Sequence, residues 1–382
     1  MISPELPTAV AVVHEWLVSR AGSEKVVEQM LAVCPQADVF SLVEFLEPAA
    51  AALIPPGTRV QTSFLQRLPW ARRHFRQYLP LMPLAIEQFD LSAYDLVLSS
   101  NHAVAKGVLT RPHQLHVSYV HTPIRYAWDL QQQYLQQAGL TQGGKGALTR
   151  LILHYLRLWD LAAAHRVDCF VANSRYVARR IWKTYRRPAT VIYPPVAVDR
   201  FRWQQPRDDF YLTVSRCVPY KRVDLTVESF NRLGLPLVVI GDGPGMATLQ
   251  GLAKPNITFL RQPSDAVVAD HMERCRGFIF PAEEDFGITV VEAQAAGAPV
   301  IAYGQGGCAE TVQPGKTGLL FKRQTVDDLA QAVEYFDQHR GQFGAETIRH
   351  HAETFSEQRF RQELTTYLAH RWMQYQRGDE LE

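Results

Sequence analysis

Short apolar runs alternate with longer segments of helical periodicity along most of the chain. In the first half, five such runs predict β-strands, and the segments 24–34 and 148–164 predict helices. The predicted strands of this half span residues 10–13, 38–42, 96–99, 116–120 and 169–172. Strands that alternate with helices are typical of parallel sheets covered by helices, so the pattern predicts an α/β class.

The second half repeats this alternation more regularly. Its predicted strands span residues 211–214, 237–240, 257–260, 277–280 and 299–302, and its predicted helices span 222–233, 265–274 and 288–296. The order strand, helix, strand predicts a series of right-handed βαβ units. Each half therefore predicts a parallel sheet of its own.

Two adjacent prolines, Pro194 and Pro195, interrupt the pattern between the halves. Because they prevent regular helix and favour an extended backbone, we place a linker there. A length of 382 residues suits the two resulting domains, 1–193 and 194–355. The helical pattern at 356–382 has no strand of its own, so it is expected to pack back on the first domain. A surface loop within a single domain is the alternative interpretation of the prolines.

Composition and charge exclude several classes of protein. The chain is 47% hydrophobic and 20% charged, which excludes a disordered or coiled-coil protein. Its 40 Lys and Arg residues against 38 Asp and Glu residues give a net charge of +2, so no nucleic-acid partner is predicted. The five cysteines are scattered and are interpreted as buried apolar side chains. Since no metal-ligand spacing occurs, neither a metal nor another cofactor is expected.

One segment departs from this balance of charge. No acidic residue occurs between Pro48 and Ile86, whereas residues 59–78 combine arginines with apolar and aromatic side chains. The arginines are Arg59, Arg67, Arg72, Arg73 and Arg76, and the interleaved residues are Phe64, Leu65, Leu68, Trp70, Phe75 and Tyr78. Basic amphipathic stretches bind anionic membrane surfaces, so peripheral membrane contact is one hypothesis. The other hypothesis is a helix on the acceptor side whose arginines are only solvated.

The same patterns bear on cellular location. No apolar run approaches the ~18–20 residues that cross a bilayer. The first seven residues carry no basic side chain, and the apolar run 9–13 is too short for a signal peptide. We therefore expect a cytoplasmic protein, with the inner face of the cytoplasmic membrane as the place that the 59–78 hypothesis adds.

The strongest chemical signal is the segment 280–293, FPAEEDFGITVVEA. A predicted strand ends there and a helix starts near Ile288, so the unpaired N–H groups of that helix favour an anion such as a diphosphate. Glu284 lies in the loop, and Glu292 lies about one turn inside the helix. Carboxylates accept hydrogen bonds from hydroxyl pairs, so we expect these two to bind the sugar and the ribose of one ligand. Acidic residues that only cap the helix are the alternative.

Arg216 and Lys221 form a second signal. Arg216 falls at the end of a predicted strand, and Lys221 falls at the start of a predicted helix, where the helix dipole disfavours a cation. A bound anion would compensate both charges, so we expect further phosphate contacts here. A solvated lysine without function is the alternative for Lys221.

Two glycine-containing turns also follow predicted strands. Gly241 opens the sequence G-D-G-P-G, and its tight turn is expected to bring backbone close to a ligand. The spacing is not G-x-G-x-x-G, so an enzyme that uses nicotinamide is disfavoured. Gly22 opens a predicted helix in the first half and offers a second patch of backbone donors. An ordinary helix cap is the alternative for Gly22.

His121 lies directly after the predicted strand 116–120. Ligands bind at the carboxyl ends of strands in open α/β sheets, so His121 is expected to donate to a sugar hydroxyl or a diphosphate. The other histidines are interpreted as structural, among them His14, His102, His113 and His116.

Together these residues resemble the retaining glycosyltransferases of family 4, which have the GT-B fold. Glu284 and Glu292 match the E-x7-E signature of that family, within the context PAEEDFGITVVEAQAAGAPV. The resemblance implies two Rossmann-like, doubly wound domains that face each other across a cleft, with the acceptor bound by the first and the nucleotide-sugar by the second. The segment 121–129, HTPIRYAWD, resembles a subgroup rich in bacterial mannosyltransferases of surface-polysaccharide and lipid-linked glycan assembly.

The resemblance also assigns roles to single residues. Glu284 would hold the donor sugar, Glu292 the ribose, and the two cations the diphosphate. The implied catalytic residues are His121, Arg216, Lys221 and Glu284. The implied donor-binding residues are Gly22, Gly241, Phe286, Gly287, Ile288, Thr289 and Glu292. The second glycine that the family usually has before Gly22 is Ala21 in this sequence.

The implied reaction is metal-independent transfer of a hexose, with retention, from a nucleotide diphosphate sugar to a hydroxyl of a glycan or lipid-linked acceptor. GDP-mannose is the donor that the subgroup suggests, and UDP-glucose or UDP-N-acetylglucosamine is the alternative. A GT-B-like nucleotide-sugar epimerase and a non-catalytic binding protein are the alternative functions.

Overall fold

A computed structural model of the chain describes residues 6–379, apart from the side chains of residues 48, 49 and 51. It divides into two compact units, Met1–Tyr193 with Phe360–Glu382, and Pro194–Arg359. The N-terminal residues 1–5, on which part of the signal-peptide argument rests, lie outside the described residues.

The described part of the first unit contains a parallel sheet of seven strands, in the order β3-β2-β1-β4-β5-β6-β7. The strands are β1 (Val10–Leu17), β2 (Asp38–Glu44), β3 (Val60–Thr62), β4 (Leu96–Asn101), β5 (Leu115–Val120), β6 (Cys169–Ala172) and β7 (Thr190–Val191). The helices are α1 (Gly22–Val33), α2 (Ala71–His74), α3 (Met82–Ile86), α4 (Gln131–Gln137), α5 (Gly143–Ala164) and α6 (Arg175–Tyr185). Because helices cover the sheet, β1, β4 and β5 are buried on both faces and have no alternating pattern.

The second unit contains a parallel sheet of six strands between residues 194 and 359, in the order β10-β9-β8-β11-β12-β13. The strands are β8 (Tyr211–Val214), β9 (Leu237–Ile240), β10 (Ile257–Leu260), β11 (Gly277–Phe280), β12 (Val300–Tyr303) and β13 (Gly318–Phe321). The helices are α7 (Val223–Leu233), α8 (Met246–Leu252), α9 (Asp265–Arg274), α10 (Ile288–Ala295), α11 (Cys308–Thr311), α12 (Val326–Gln338) and α13 (Ala345–Glu353).

The last helix, α14 (Glu357–Arg377), joins the core of the first unit. Its residues Phe360, Leu364 and Leu368 recur every four positions and are buried in that core. The ring of Phe360 lies 5.8 Å from the ring of Tyr119 on β5. Within residues 6–379, no helix is both long and apolar enough to cross a membrane.

Each sheet has one place where the strand order reverses. In the first unit, β1 pairs with β2 on one side and with β4 on the other. In the second unit, β8 is placed in the same way between β9 and β11. The carboxyl ends of strands at such a reversal form the usual ligand-binding crevice of an open α/β sheet. These two edges are therefore the places to examine for function.

The structure confirms the predicted pair of doubly wound α/β sheets and corrects the interpretation of residues 59–78. That segment is not one helix, because short α-helical and 3-10 turns succeed one another from Phe64 to Ile86. Leu65 and Phe75 are buried in the core of the first unit, so they cannot face a membrane. Trp70 is 78% exposed, and Phe64 is 39% exposed.

Candidate active site

Lys221 and Glu284 form an ion pair at the carboxyl edge of the second sheet. Lys221 ends the 3-10 turn Pro219–Lys221 that follows β8, and Glu284 lies in the loop that follows β11. Since β8 and β11 are paired neighbours, the fold brings these two loops together. The Lys221 ammonium also lies 6.0 Å from the ring of Phe280. Both charged side chains are 16% exposed, so a ligand can reach the pair.

The backbone around Glu284 is held in place by the loop after β12. The N–H of Gly307 donates to the carbonyl of Glu284 at 2.7 Å, and Gly306 forms a parallel bridge with Glu284. A Cβ atom on Gly306 would overlap that carbonyl, and its φ of +75° is in the region that favours glycine. The position of the Glu284 carboxylate is thus set by two backbone segments.

Helix α10 begins directly beyond this loop. Gly287 precedes it with a left-handed φ of +83°. Phe286 is buried, and its ring lies 5.7 Å from that of Phe355, which anchors the start of the helix. The first N–H groups of any helix lack intrahelical acceptors, so the amides at Ile288 and Thr289 are suited to an anion. No acidic side chain lies in the first turn of α10.

Arg216 lies on the loop after β8 and is exposed. No carboxylate of the described chain forms an ion pair with its guanidinium group. The glycine turn after β9 supports this loop, since the N–H of Cys217 donates to the carbonyl of Asp242 at 2.9 Å. A Cβ atom on Gly241 would overlap the carbonyl oxygen of Ser215. The close approach at Gly241 is therefore to the backbone beside Arg216, and direct contact with a ligand stays a prediction.

The second unit thus collects most of the predicted residues at one sheet edge. Arg216 and Lys221 follow β8, Gly241 follows β9, and Glu284 follows β11. Glu292 lies on α10 and is partly buried. Between residues 6 and 379, no group of three or more His, Cys, Asp or Glu side chains is arranged to hold a metal ion.

In the first unit, His121 lies directly after β5, where it was predicted. Its Nε2 is 2.9 Å from the hydroxyl of Ser100, and Asn173 donates to its carbonyl at 3.0 Å. Burial, followed by the charges of His102 and His14, lowers the pKa of His121 to about 3. His121 is therefore a neutral hydrogen-bonding group rather than an acid at physiological pH.

Gly22 begins α1, and Ala21 precedes it as an extended N-cap without a side-chain hydrogen bond. The next acidic residue, Glu24, is buried, and its Oε1 lies 3.8 Å from Nε2 of His14. Burial alone would lower the pKa of His14, but Glu24 and then Glu15 outweigh it and raise that pKa. This end of α1 thus lies close to the buried His14 of β1.

A buried ion pair anchors the segment that follows His121. Lys106 and Asp160 form it, and neither side chain has exposed area. The indole of Trp128 donates to the second oxygen of Asp160 at 2.7 Å, and Tyr185 donates to the same oxygen at 2.9 Å. Through Trp128, this cluster fixes the loop 121–129.

The sequence analysis missed a cluster of titratable side chains beside His121. Glu15 and His14 lie near the end of β1, and His102 follows β4. The signal was present, because a His-Glu pair on an apolar strand and a histidine after another strand both lie at carboxyl ends. Only the pairing of β1 with β4 shows that these ends meet.

Comparison with solved structures identifies the fold. Sucrose-phosphate synthase from Thermosynechococcus elongatus matches with a TM-score of 0.69 at 15% identity, over 96% of this chain and 99% of that one. Anabaena HepE, solved with UDP and glucose, matches with a TM-score of 0.66 at 14% identity, over 94% of this chain and 99% of that one. The predicted GT-B fold, with two Rossmann-like domains, is confirmed.

Curated relatives match over a shorter length. A GDP-mannose-dependent alpha-(1-6)-phosphatidylinositol monomannoside mannosyltransferase of Mycobacterium tuberculosis is 31% identical over 198 residues, which cover 44% of this chain and 51% of that protein. An uncharacterized glycosyltransferase of Methanocaldococcus jannaschii is 29% identical over 171 residues, which cover 44% of this chain and 48% of that protein. The chain therefore spans about half the length of the curated relatives it matches.

Two family models cover most of the chain. The model described as Glycosyltransferase Family 4 matches residues 22–200. The model described as Glycosyl transferases group 1 matches residues 197–343, which include the Lys221–Glu284 pair and α10. Because both models match and the fold is GT-B, the chain belongs to the glycosyltransferases that these two models describe, group 1 and family 4.

Proposed function

We propose that this protein transfers a hexose from a nucleotide diphosphate sugar to a hydroxyl of a glycan or lipid-linked acceptor. The observation that carries the proposal is the Lys221–Glu284 pair beside the start of α10. It joins a cation for phosphate, a carboxylate for sugar hydroxyls and a helix N-terminus for an anion at one sheet edge.

The protein's chemical task in this proposal is to stabilise the departing diphosphate. Negative charge grows on the phosphate oxygens as the bond to the sugar breaks, while the sugar carbon gains positive charge. Arg216, Lys221 and the amides at Ile288 and Thr289 supply fixed positive potential for that charge. These groups suffice without a metal, so we propose a metal-independent reaction.

In this proposal, Glu284 exchanges one interaction partner for another when the donor binds. Without a donor it pairs with Lys221. When a donor binds, the diphosphate becomes a competing partner for Lys221, and the carboxylate accepts hydrogen bonds from the sugar hydroxyls. Glu292, on α10, accepts from the ribose. His121, neutral and held by Ser100, donates or accepts a hydrogen bond at the reacting sugar. Retention of configuration is part of the proposal.

GDP-mannose is the proposed donor. Support comes from the mycobacterial relative, whose name states dependence on GDP-mannose, and from the resemblance of segment 121–129 to mannosyltransferases. UDP-glucose and UDP-N-acetylglucosamine are the alternative donors.

We also propose peripheral contact with an anionic membrane, through residues 59–78 and the neighbouring α5. On α5, apolar side chains recur at helical spacing on the solvent face. They are Leu148 (59% exposed), Leu151 (64%), Tyr155 (46%), Leu158 (59%) and Leu161 (38%). The buried side of α5 shares a core with residues 59–78, since Trp159 and Ala163 of α5 lie in one cluster with Leu65 and Phe75.

Charge favours a lipid surface over a second copy of the chain as the occupant of this stripe. The flanking cations Lys145, Arg150 and Arg157 lie on α5, whereas its acidic residue, Asp160, is buried and paired with Lys106. Arg150 and Arg157 donate to neutral oxygens of Thr141 and Ala127. A second copy would place like charges together, whereas anionic lipid would neutralise them.

The test of donor use is direct. The purified protein is mixed in turn with GDP-mannose, UDP-glucose and UDP-N-acetylglucosamine, each in the presence of EDTA. Thermal shift and nucleotide release are then measured for each mixture. Both measurements are made with and without an acceptor, for which the octyl glycosides of mannose, glucose and galactose are used. Acceptor-dependent release of GDP in EDTA is expected. Donor consumption that is independent of acceptor would favour an epimerase, and binding without any turnover would favour a non-catalytic protein.

A further inference from the structure

Glu15 is held by an unusual number of hydrogen bonds for one buried carboxylate. Its Oε1 accepts from the backbone N–H groups of four successive residues, 102–105, at 2.9, 2.8, 3.1 and 3.1 Å. Its Oε2 lies 3.0 Å from Nδ1 of His102. Burial alone would raise the pKa of Glu15, but His102, then His14 and the Ala103 N–H, hold that pKa well below its usual range. Glu15 is thus a fixed anion.

Glu15 and His102 lie where open α/β sheets usually bind their ligands. Glu15 lies on β1, and His102 directly follows β4. These are the two strands where the order of the first sheet reverses, so the pair lies at the carboxyl-edge crevice of that sheet. The ring of His121 lies 6.3 Å from the ring of His102. His102 is therefore the immediate neighbour of a residue proposed to contact the reacting sugar.

The imidazole of His102 presents one nitrogen to the protein and the other to a ligand. Nδ1 faces Glu15, which places Nε2 on the opposite side of the ring. The side chain is 21% exposed, and no side chain or backbone group between residues 6 and 379 hydrogen-bonds to Nε2. The ring is held edge-on to Trp16, at 4.6 Å between centroids.

His116 shows what a structural histidine looks like in the same sheet. It is fully buried, and its two ring nitrogens contact the Ser99 hydroxyl at 2.9 Å and the Arg166 carbonyl at 3.4 Å. Its pKa is lowered to about 4, chiefly by burial. His102 differs because its Nδ1 lies 3.0 Å from a carboxylate, while its Nε2 has no hydrogen-bond partner among residues 6–379.

We infer that His102 binds the acceptor hydroxyl through Nε2, and that Glu15 is a positioning residue that fixes the ring and its tautomer. The Glu15 carboxylate, 3.0 Å from Nδ1, favours the tautomer with the proton on Nδ1, and Nε2 then has a lone pair that accepts a hydrogen bond from the hydroxyl. This inference rests on the proposed transferase function, since it names the group that orients its second substrate.

The step that His102 orients exchanges one bond at the sugar C1 atom for another. The acceptor oxygen forms a bond to the sugar C1 atom, and the bond between C1 and the diphosphate oxygen breaks. The diphosphate keeps the electron pair of that bond, and the hydroxyl proton passes to Nε2 of His102, to which it is hydrogen-bonded, and then to solvent. His102 holds the acceptor by this hydroxyl, and it is in the same protonation state before and after the reaction.

The test uses the full chain with GDP-mannose as donor and octyl α-D-mannoside as acceptor probe. His102→Asn keeps an amide near Glu15 and removes only the outer nitrogen. Glu15→Gln keeps the shape of the positioning side chain and removes its charge. His113→Asn changes an exposed histidine of the same unit and is the matched control. Calorimetric binding of GDP-mannose and thermal unfolding are measured for each variant beside steady-state kinetics.

We expect His102→Asn to lower kcat/KM for the acceptor by about 10- to 100-fold, the usual range for one hydrogen bond left unmade. The affinity for GDP-mannose stays within twofold, because the donor is bound by other groups. Glu15→Gln acts in the same direction and changes the tautomer of His102 in nitrogen NMR spectra. His113→Asn changes none of these values.

Two results overturn the inference on its own. One is a His102→Asn protein that transfers to the acceptor as fast as the wild type does. The other is an equal loss of acceptor use and donor affinity, which would indicate a structural role. A wild-type protein that releases nucleotide from none of the donors and transfers to none of the octyl glycosides instead overturns the proposed function itself.

Discussion

The ammonium group of Lys221 pairs with the carboxylate of Glu284 between the loops that follow two adjacent strands of the second sheet. The pair is partly shielded, with 16% of each side chain exposed, so it is neither a solvated surface pair nor a sealed one. It holds both groups in position before a ligand arrives. The exposed Arg216 adds a second cation to this edge, and a cation suits a diphosphate.

Substitution of Lys221 tests the catalytic part of this arrangement. We expect Lys221→Ala to lower kcat by about 10²- to 10³-fold, because one preorganised donor to the developing phosphate charge is lost. Steady-state nucleotide release measures this effect. Lys316→Ala removes an exposed lysine of the same unit and is expected to leave kcat unchanged. A Lys221→Ala protein that keeps more than half of the wild-type kcat would contradict the assignment.

Gly287 tests the backbone geometry that starts α10. Its φ of +83° and a Cβ position only 3.0 Å from the sulfur of Cys308 both disfavour a side chain. We expect Gly287→Ala to lower the free energy of unfolding by about 1–3 kcal/mol, the cost of a strained backbone residue. Urea denaturation of the two proteins gives this difference.

Gly251 supplies the matched control for that experiment. It lies within α8, has open space around its Cα atom and has no positive φ. Gly251→Ala is expected to stabilise the protein by up to about 1 kcal/mol, because alanine is the better helix former. Equal effects of the two substitutions would show that the left-handed turn before α10 imposes no strain.

The lowered pKa of His121 predicts a dependence of stability on pH. The folded-state pKa is about 3, and the unfolded value is about 6.5. The stability that His121 contributes is therefore fully present above pH 6.5 and is lost as the pH falls toward 3. As the pH falls from 6.5 to 5, we expect the stability difference between the wild type and His121→Asn to shrink, with a slope that approaches about 1.4 kcal/mol per pH unit at the lower end.

Urea unfolding at several pH values measures this slope. Since His121 stays neutral in the folded state, it also contributes no acid limb to kcat between pH 5 and 8. A stability difference that is constant from pH 7 to 5 would show that His121 titrates normally in the folded protein.

The exposed stripe of α5 predicts lipid binding. The wild type is expected to co-sediment with phosphatidylglycerol vesicles, less so at high salt, and not with phosphatidylcholine vesicles. The double variant Leu151→Glu with Leu158→Glu should bind at least tenfold more weakly. Leu252→Glu, at an exposed leucine of the second unit, should bind as the wild type does.

Two other results would contradict lipid binding by the exposed apolar side chains of α5. A concentration-dependent dimer without lipid, abolished by the double variant, would assign the stripe to a second copy of the chain. Equal vesicle binding by the wild type and the double variant would remove α5 from the membrane surface.

Strands that carry an apolar run could be predicted from the sequence, and the two shortest edge strands could not. β8 to β11 lie at the predicted positions because each carries an apolar run, and this includes β10, an edge strand in which only Ile257 is buried. The edge strands β3 and β7 have three and two residues and are largely exposed or partly buried, so they carry no apolar run. Their existence depends on pairing with β2 and β6, which no local pattern reports.

In the candidate site, too, contacts between residues far apart in the sequence could not be predicted. Lys221 and Glu284 could be found because each lies next to a predicted helix start, where charge has a local meaning. Glu15 and His102 could not, because they lie 87 residues apart and meet only through the pairing of β1 with β4. Likewise, the partner that Glu284 takes in the structure, Lys221, follows from the strand order and not from either motif.

Titration calorimetry with GDP and UDP is the most direct test of the central claim, that the loops after β8 and β11 bind a nucleotide diphosphate. For whichever nucleotide binds more tightly, Lys221→Ala and Arg216→Ala should each lower the affinity at least tenfold, about 1.4 kcal/mol, and Lys316→Ala should leave it unchanged. Equal affinity of the wild type and Lys221→Ala for that nucleotide would contradict the account.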